Sequence, residues 1–280
     1  MPQGGPSSAL PLRPLTTAEV LDAAVSLLRD HARVLLPAGL VLAAAEQLAL
    51  APLRAAAGVH PPWFLPESGS ASLYWLLLVL GCGTEAAIIA LLGGLSARGA
   101  SAGLLGHRLS ARQLLAPRGG RFPAVLLLAA VAGLATAGGA LLGPVWAVGY
   151  ALVGLAVPAL VVDGVGPGQA LARGAALACR GGLRAGAIRV LGYVTWLAIR
   201  LGLGIGGVLA LSRTPLGEGW TTQASIAVWL LVNSIAYPTL ACLDAVLHLE
   251  TRMRTEGLDI WLSRAARHQL TPATLAVRRG

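Results

Sequence analysis

The sequence predicts an all-α integral membrane bundle of six transmembrane helices, arranged as three hairpins with amphipathic helices at the cytoplasmic interface. Hydrophobic residues make up 56% of the 280 residues, and only 12% are charged, which is about half the fraction usual in a soluble domain. Six apolar stretches are each long enough to cross a bilayer core of about 30 Å. The same composition excludes an ordinary soluble globule and a disordered chain.

The predicted spans lie at residues 34–53, 72–95, 122–143, 145–162, 190–211 and 223–249. Spans three and four almost touch at Gly143-Pro144, which predicts a tight helical hairpin. Residues 1–15 are polar and lack the apolar core of a signal peptide, so we expect a flexible N-terminal tail. Residues 250–280 are expected to form an amphipathic helix that bends at Gly257 and lies along the membrane, followed by a tail.

An amphipathic stretch precedes each predicted hairpin. Thr16 with Glu19, and Ser110 with Gln113, have the spacing of a capping box at a helix N-terminus. The third stretch opens at Pro167, a favoured first helical position. We expect these stretches to lie in the inner membrane interface and to set the direction of each hairpin. The alternative is a docking surface for a cytoplasmic partner.

Small residues predict where the helices approach closely. Gly139 and Gly143 are four residues apart, as are Gly202 and Gly206, which have Gly204 and Gly207 beside them. This spacing is common where transmembrane helices pack closely, and a dimer interface is the alternative. The three cysteines form no CxxC pair, and Cys82 and Cys242 are expected to behave as small buried apolar residues.

The arginines predict the orientation. All 21 basic residues are arginine, and all except Arg54, Arg200 and Arg213 lie in the N-terminal segment, the second and fourth connections or the C-terminal tail. The positive-inside rule therefore places both termini on the cytoplasmic side of a cell membrane. It also predicts attraction to anionic lipid of the inner leaflet. A nucleic-acid partner is not expected, because almost no aromatic residues are interleaved with these arginines.

Three groups of short segments resemble a known family. They are Arg13-Pro14-Leu15 with Glu19-Val20-Leu21-Asp22; Pro158-Ala159-Leu160-Val161 with Asp163-Gly164-Val165-Gly166-Pro167 and Ala170-Leu171; and Arg252-Met253-Arg254 with Glu256-Gly257-Leu258-Asp259. The family comprises polytopic membrane proteins of high-GC Gram-positive bacteria and is similar to the membrane domain attached to some glycerophosphoryl diester phosphodiesterases. The resemblance implies the membrane architecture. The sequence departs from the family pattern near Ala175-Ala176, where an aromatic residue is expected. Phosphodiesterase activity is not implied, because in such fusions it belongs to a separate α/β barrel of about 250 residues.

Three ionisable residues lie at membrane depth: Glu46, Glu85 and Arg200. Each costs about 2.5–3.5 kcal/mol there on insertion scales, so we expect them to face the bundle interior and find one another. One guanidinium cannot neutralise two carboxylates, and the unmatched carboxyl is expected to be protonated because burial disfavours its charged form. The cluster is either a buried ion pair that fixes helix order or a solute or proton pathway. Tyr193 and Trp196 precede Arg200 by one or two turns and would form a pocket wall or simple packing.

A second polar cluster is predicted near the cytoplasmic end. It comprises Asp163, Asn233, Tyr237, Asp244 and His248. The last four share one face of span six by helical spacing, and Pro238 can kink the helix beside them. These residues would either relay a proton or bind a cation, or they would tie span six to the arginine-rich connections.

The sequence contains no recognisable catalytic, cofactor or metal motif, and we expect neither enzyme activity nor a cofactor. The first hypothesis is a non-enzymatic scaffold or accessory subunit that works with a membrane or cytoplasmic protein partner. The alternative is a small-solute or proton-linked transporter built around Glu46, Glu85 and Arg200. A water-filled cavity that reaches these residues would favour transport, and a tightly packed core would favour the scaffold.

Overall fold

The computed structural model describes residues 11, 13–59, 65–66, 69–116, 121–213, 220–265 and 275. Over these residues every regular element is a helix, as predicted. The helices are α1 (Thr17–Ala56), α2 (Ala71–Leu104), α3 (Ala111–Leu115), α4 (Phe122–Leu141), α5 (Trp146–Val153), α6 (Ala156–Val162), α7 (Pro167–Cys179), α8 (Arg184–Ser212), α9 (Thr221–Glu256) and α10 (Leu258–Ala265). Six helical segments are long and apolar enough to cross a membrane, so the chain has the form of a multi-pass membrane protein. The predicted N-terminal tail lies mostly outside the described residues.

Both predicted capping boxes are confirmed. The Thr16 hydroxyl accepts from the Glu19 backbone N–H, and the Glu19 carboxylate accepts from the Thr16 backbone N–H at 2.8 Å. Ser110 and Gln113 form the same reciprocal pair at the start of α3. Arg98 of α2 then donates to three backbone carbonyls at the end of α3, at 2.6–2.8 Å. The short α3 is therefore anchored to α2 through its free carbonyls.

The first amphipathic stretch and the first span are one helix, α1, which has a non-helical residue at His31 (φ −117°, ψ 16°). The apolar side chains of the N-terminal part, including Val20, Ala24 and Leu27, are buried in the main core. In α7, Leu177 is buried in the same core. These apolar side chains are thus covered by the bundle itself, whereas Leu21 and Val25 of the same stretch are exposed.

The C-terminal helix bends where predicted but packs differently. Gly257 ends α9 with a left-handed conformation (φ 65°), which a residue without Cβ adopts at low cost. After it, Leu258 and Leu262 of α10 are buried in the core of the protein. The predicted apolar strip therefore faces the bundle and not the membrane. Leu275 is buried in the same core, and the rest of the tail beyond residue 265 lies outside the described residues.

The fourth span differs from the predicted continuous helix. A 3-10 turn at Gly143–Val145 leads into α5, and the helix is interrupted before α6 begins at Ala156. A Cβ at Gly154 would overlap the side chain of Arg189, which crosses the helix at this point. The interruption therefore lies where a side chain from α8 approaches the backbone.

Helix α9 lies at the centre of the bundle and packs against α1, α2 and α8. At its contact with α1, a Cβ on Gly39 would lie 2.7 Å from Pro238 Cγ and 2.9 Å from the Ser234 carbonyl oxygen. Helices α2 and α4 meet backbone to backbone at Gly83 and Gly133 in the same way. Close approach through small residues is thus present, and it is achieved by glycines that the fourfold spacing did not single out.

Of the four glycines that the sequence singled out, Gly139 packs against the backbone of Val145 and Trp146. A Cβ on Gly202 or Gly206 would meet nothing within 4 Å of the described atoms. The neighbouring Gly204 instead packs on Trp229. Close packing is therefore present at Gly204 and at Gly207, which meets Val228, because this face of α8 turns toward α9. Gly202 and Gly206 make no such contact within the described bundle, and a dimer interface there stays a prediction.

The two ends of the chain meet at one end of the bundle. The Leu15 carbonyl oxygen accepts from Arg184 at 3.0 Å and from Arg254 at 2.8 Å. We refer to this end, where Leu15, Arg184 and Arg254 meet, as the basic end. Its assignment to the cytoplasm remains a prediction from the arginine distribution.

Candidate functional site

A cavity of about 340 Å³ lies between α1, α2, α8 and α9 and is partly open to the surface. Arg54, Val59 and Tyr74 line it at the end of the bundle opposite the basic end. From there it reaches inward to the carboxyl groups of Glu46 and Glu85. The structure thus brings the two acids predicted at membrane depth to one cavity, with Arg200 directly behind Glu85.

Glu85 is held by a fixed set of donors. Arg200 donates from Nη1 to Glu85 Oε1 at 2.7 Å and from Nη2 to Oε2 at 2.9 Å. The Tyr193 hydroxyl donates to Oε2 at 2.6 Å. Only 1% of Arg200 is exposed, whereas 19% of the Glu85 side chain is, so the guanidinium is buried behind a carboxylate that borders the cavity. Arg200, a cation that cannot release its proton, is therefore the charge partner of Glu85.

Glu46 is placed differently, with two hydroxyl groups and no cation within ion-pair distance among the described residues. Thr84 Oγ1 lies 2.6 Å from Glu46 Oε1, and the Tyr237 hydroxyl donates to Oε2 at 2.5 Å. Glu46 is 6% exposed. Glu46 is therefore the carboxyl group that the charge of Arg200 does not neutralise.

The Thr84 hydroxyl can serve Glu46 in either protonation state. Its Oγ1 also lies 3.0 Å from the Gly81 carbonyl oxygen. A hydroxyl has one proton to donate and two lone pairs. When Glu46 is charged, Thr84 donates to the carboxylate. When Glu46 is neutral, the carboxyl donates to Thr84, and Thr84 donates to Gly81. A proton can therefore be gained or lost at Glu46 without leaving a buried group unpaired.

The cavity walls are mainly apolar and aromatic. Tyrosines form much of the aromatic surface, and Tyr74, Tyr193, Tyr237 and Trp229 all line the cavity. Three of the four tyrosines of the chain are therefore at this site. Leucines on α1, α2 and α8 complete the walls. The side-chain carbonyl oxygen of Asn233, a residue only 4% exposed, has no hydrogen-bond partner within the described part of the chain.

The second predicted cluster is not one site. Asn233 and Tyr237 line the cavity near Glu46, whereas Asp244 and His248 lie farther toward the basic end. Seven residues of helix separate Tyr237 from Asp244, which is about 10 Å along the axis. Helical spacing places these residues on one face, but residues on one face of a long helix lie at different depths.

Asp244 is paired with a residue that the sequence analysis placed in a connection. Arg189 donates from Nε to Asp244 Oδ1 at 2.6 Å and from Nη2 to Oδ2 at 3.0 Å. Arg189 also donates to the Tyr150 backbone carbonyl, and its guanidinium carbon lies 3.4 Å from the centre of the Tyr150 ring. Only 1% of Arg189 is exposed. The low hydropathy around Arg184 concealed that α8 begins there and carries Arg189 inside the protein.

Asp163 forms the centre of an ionic network at the basic end. Its Oδ1 lies 3.0 Å from His248 Nε2 and accepts from Arg252 at 2.7 Å, and Arg173 donates to its other oxygen. Glu256 accepts from Arg173 and Arg252 and closes the network. Burial opposes the charge of Asp163, but the attraction and hydrogen bonds of His248, Arg252 and Arg173 outweigh it and lower the pKa of Asp163 to about 2. Asp163 and His248 thus join α6 to α9.

A layer of aromatic rings separates the cavity from this network. The Tyr193 ring lies 5.1 Å from Trp146 and 4.9 Å from Tyr150, measured between centroids. The buried Arg189–Asp244 pair lies directly behind Tyr150. The cavity is therefore closed on the side of the basic end by packed rings and one ion pair.

Comparisons with family models, with curated proteins and with solved structures found no match to this chain. The resemblance to the membrane domain of the phosphodiesterase fusions therefore stays a prediction. Sequence reasoning missed Thr84 and Cys82, which also lines the cavity. Both residues lie within one helical turn of Glu85 in the sequence, and this spacing indicates that they can share its site.

Proposed function

We propose that this chain is a membrane transporter for a small solute, with its binding site at Glu46 and Glu85. The observation that carries the proposal is the cavity that runs from one end of the bundle to both carboxyl groups. A scaffold needs no such cavity, and its lining by few polar groups on apolar walls is typical of small-molecule sites.

The two carboxyl groups would have separate roles. Glu85, held by Arg200 and Tyr193, is a fixed charge. Glu46 is the group that can exchange a proton, because Thr84 serves both of its states. The other ionisable groups around it are Glu85 and Arg200, and Arg54 near the outer part of the cavity. With the cavity empty, a neutral Glu46 avoids a second, unpaired charge in an apolar layer.

Transport requires that the same site open alternately to both faces. The structure supports one half of this cycle, since the cavity reaches the end opposite the basic end. The aromatic layer of Trp146, Tyr150 and Tyr193 would have to separate in the other half. The Arg189–Asp244 pair beneath it would open at the same step.

Cys82 provides a test that needs no known solute, because this native thiol lines the cavity. Replacing the other two cysteines, by Cys179→Ser and Cys242→Ala, leaves it as the only thiol. A charged, membrane-impermeant methanethiosulfonate would be applied to intact cells and to inverted membrane vesicles. We expect modification of Cys82 from both faces.

The matched control carries Leu65→Cys and Cys82→Ala in the same background. Leu65 is exposed at the end opposite the basic end, so its thiol should react from one face only. If Cys82 also reacts from a single face, with and without an imposed pH gradient, the cavity does not alternate and transport is excluded.

A further inference from the structure

The chemistry of the cavity also limits what it can bind, and this inference rests on the proposed function. The carboxyl groups at the inner part of the cavity are acceptors, those of Glu46 and Glu85, and Asn233 lines the cavity beside them. The guanidinium of Arg200 does not line the cavity, because its Nη atoms are directed at Glu85. An anion that passed Arg54 at the outer end would therefore meet carboxyl oxygens at the inner end.

The walls add a second restriction. Tyr74 and Trp229 are aromatic lining residues that are only partly buried, whereas the buried rings of Tyr193 and Tyr237 lie near the Arg200 guanidinium, and the remaining wall is largely leucine. Aromatic faces attract cations, most strongly where water is excluded. Leucine walls favour a ligand with a large apolar body. A small hydrated metal ion would satisfy neither surface.

Charge balance points to a single positive charge on the ligand. With Glu46 neutral, the charged groups at the cavity are Glu85, which its partner Arg200 balances, and Arg54 near the outer end. When a monovalent cation binds and Glu46 releases its proton, the total charge of the layer is unchanged. A cation bound beside a neutral Glu46 would add an uncompensated charge at membrane depth, which is costly.

From these three observations we infer that the cavity binds a lipophilic organic monocation, with the carboxylate of Glu46 as its counter-charge. The cation takes the position of the Glu46 proton, and its apolar body occupies the space between the leucines and the aromatic rings.

Two probes of the same shape and opposite charge test this inference. Tetraphenylphosphonium and tetraphenylborate differ in the sign of their charge, and each would be measured on the purified full chain in lipid nanodiscs against protein-free nanodiscs. We expect saturable binding of the phosphonium and none of the borate. Equal binding of the two would overturn the inference, since the site would then select only for apolar surface.

Two pairs of variants locate the binding. Glu46→Gln should weaken phosphonium binding at least about tenfold, because the carboxylate that balances the charge of the cation is lost. Its control, Asp22→Asn, removes an exposed acid from the same helix and should bind as the wild type does. Equal affinity of Glu46→Gln and wild type would overturn the assignment of the counter-charge.

The second pair keeps the test valid if Glu46→Gln does not fold. Gly81 lines the cavity, and a Cβ there would meet nothing within 4 Å, so Gly81→Leu should fill the cavity without a clash. Gly202 is equally unhindered but does not line the cavity. Gly81→Leu should abolish phosphonium binding and Gly202→Leu should retain it; retention in both would place the probe elsewhere.

The binding measurement and the test of transport can fail independently of each other. If the thiol reagent reached Cys82 from both faces but phosphonium did not bind, the proposal of transport would be retained and this class of solute would be rejected. Phosphonium binding with one-sided access would keep the class of solute and reject transport.

Discussion

Arg200 and Glu85 form a two-pronged ion pair, with Nη–Oε distances of 2.7 and 2.9 Å, between helices α8 and α2. In the described part of the chain these two helices have few other contacts. The pair therefore spans the cavity's inner end and connects two walls that packing alone does not hold together. The Tyr193 hydroxyl, from α8 as well, adds a third hydrogen bond to the same carboxylate.

This pair predicts an asymmetric response to charge removal. Glu85→Gln leaves Arg200 buried with a charge it cannot lose, whereas Arg200→Met leaves Glu85 able to become neutral. Glu85→Gln should lower the free energy of unfolding by about 3 kcal/mol, and Arg200→Met by less. The double variant should recover much of the loss. Thermal unfolding in detergent measures all three, and equal losses for the two single variants would contradict the pairing.

The contact between α1 and α9 predicts a large effect of one methyl group. In Gly39→Ala the new Cβ would lie 2.7 Å from Pro238 Cγ, and the Pro ring and the Ser234 carbonyl cannot move aside easily. We expect a loss of about 1–3 kcal/mol. Gly138→Ala, in α4 with nothing within 4 Å of the new Cβ, should be neutral or stabilising. The same thermal unfolding assay applies, and equal behaviour of the two variants would disprove the close contact.

Asp163 predicts an acid-sensitive contribution to stability. Its pKa is about 2 in the folded protein and about 3.9 in an unfolded chain. A lowered pKa stabilises the fold at pH values above about 4, by about 2 kcal/mol, and this contribution is lost as the pH falls toward about 2. The difference in unfolding temperature between wild type and Asp163→Asn should therefore shrink over that range. Asp22→Asn, which removes an exposed acid, is the control. A difference that stays constant from pH 5 to about 2 would show that the charge of Asp163 is not what stabilises this end.

The arginine distribution predicts which face each end of the bundle occupies. Two single cysteines would be introduced into a chain without its native cysteines, by Leu65→Cys and Arg112→Cys. Leu65 is exposed at the end opposite the basic end, and Arg112 is exposed on α3. An impermeant thiol reagent should reach Leu65→Cys in intact cells. It should reach Arg112→Cys only after permeabilisation. The reverse pattern would invert the orientation.

The sequence predicted the parts of this architecture that depend on the cost of exposing groups to lipid. Six helices follow from apolar length, and the grouping of Glu46, Glu85 and Arg200 follows from the expense of an isolated charge at membrane depth. The capping boxes at Thr16 and Ser110 follow from local hydrogen bonding. Each of these depends on the residue and its immediate neighbours.

The parts that depend on how helices meet were not predictable in this way. The interruption after α5 reflects Arg189 lying against Gly154, two residues far apart in sequence. The partnership of Thr84 and Tyr237 with Glu46 depends on the relative depth of α1, α2 and α9. Depth also separates Tyr237 from Asp244, although the two share one face of a helix.

We propose that a cation and a proton replace each other at Glu46. The number of protons released per bound cation is the measurement that tests this exchange. Tetraphenylphosphonium would be added at saturating concentration to the purified chain in nanodiscs, in weakly buffered solution with a pH indicator. We expect release of about one proton per bound cation by the wild type and by Asp22→Asn, because each binding event requires a charged Glu46. We expect almost none by Glu46→Gln at equal occupancy. Equal proton release from wild type and Glu46→Gln would show that no exchange takes place at Glu46.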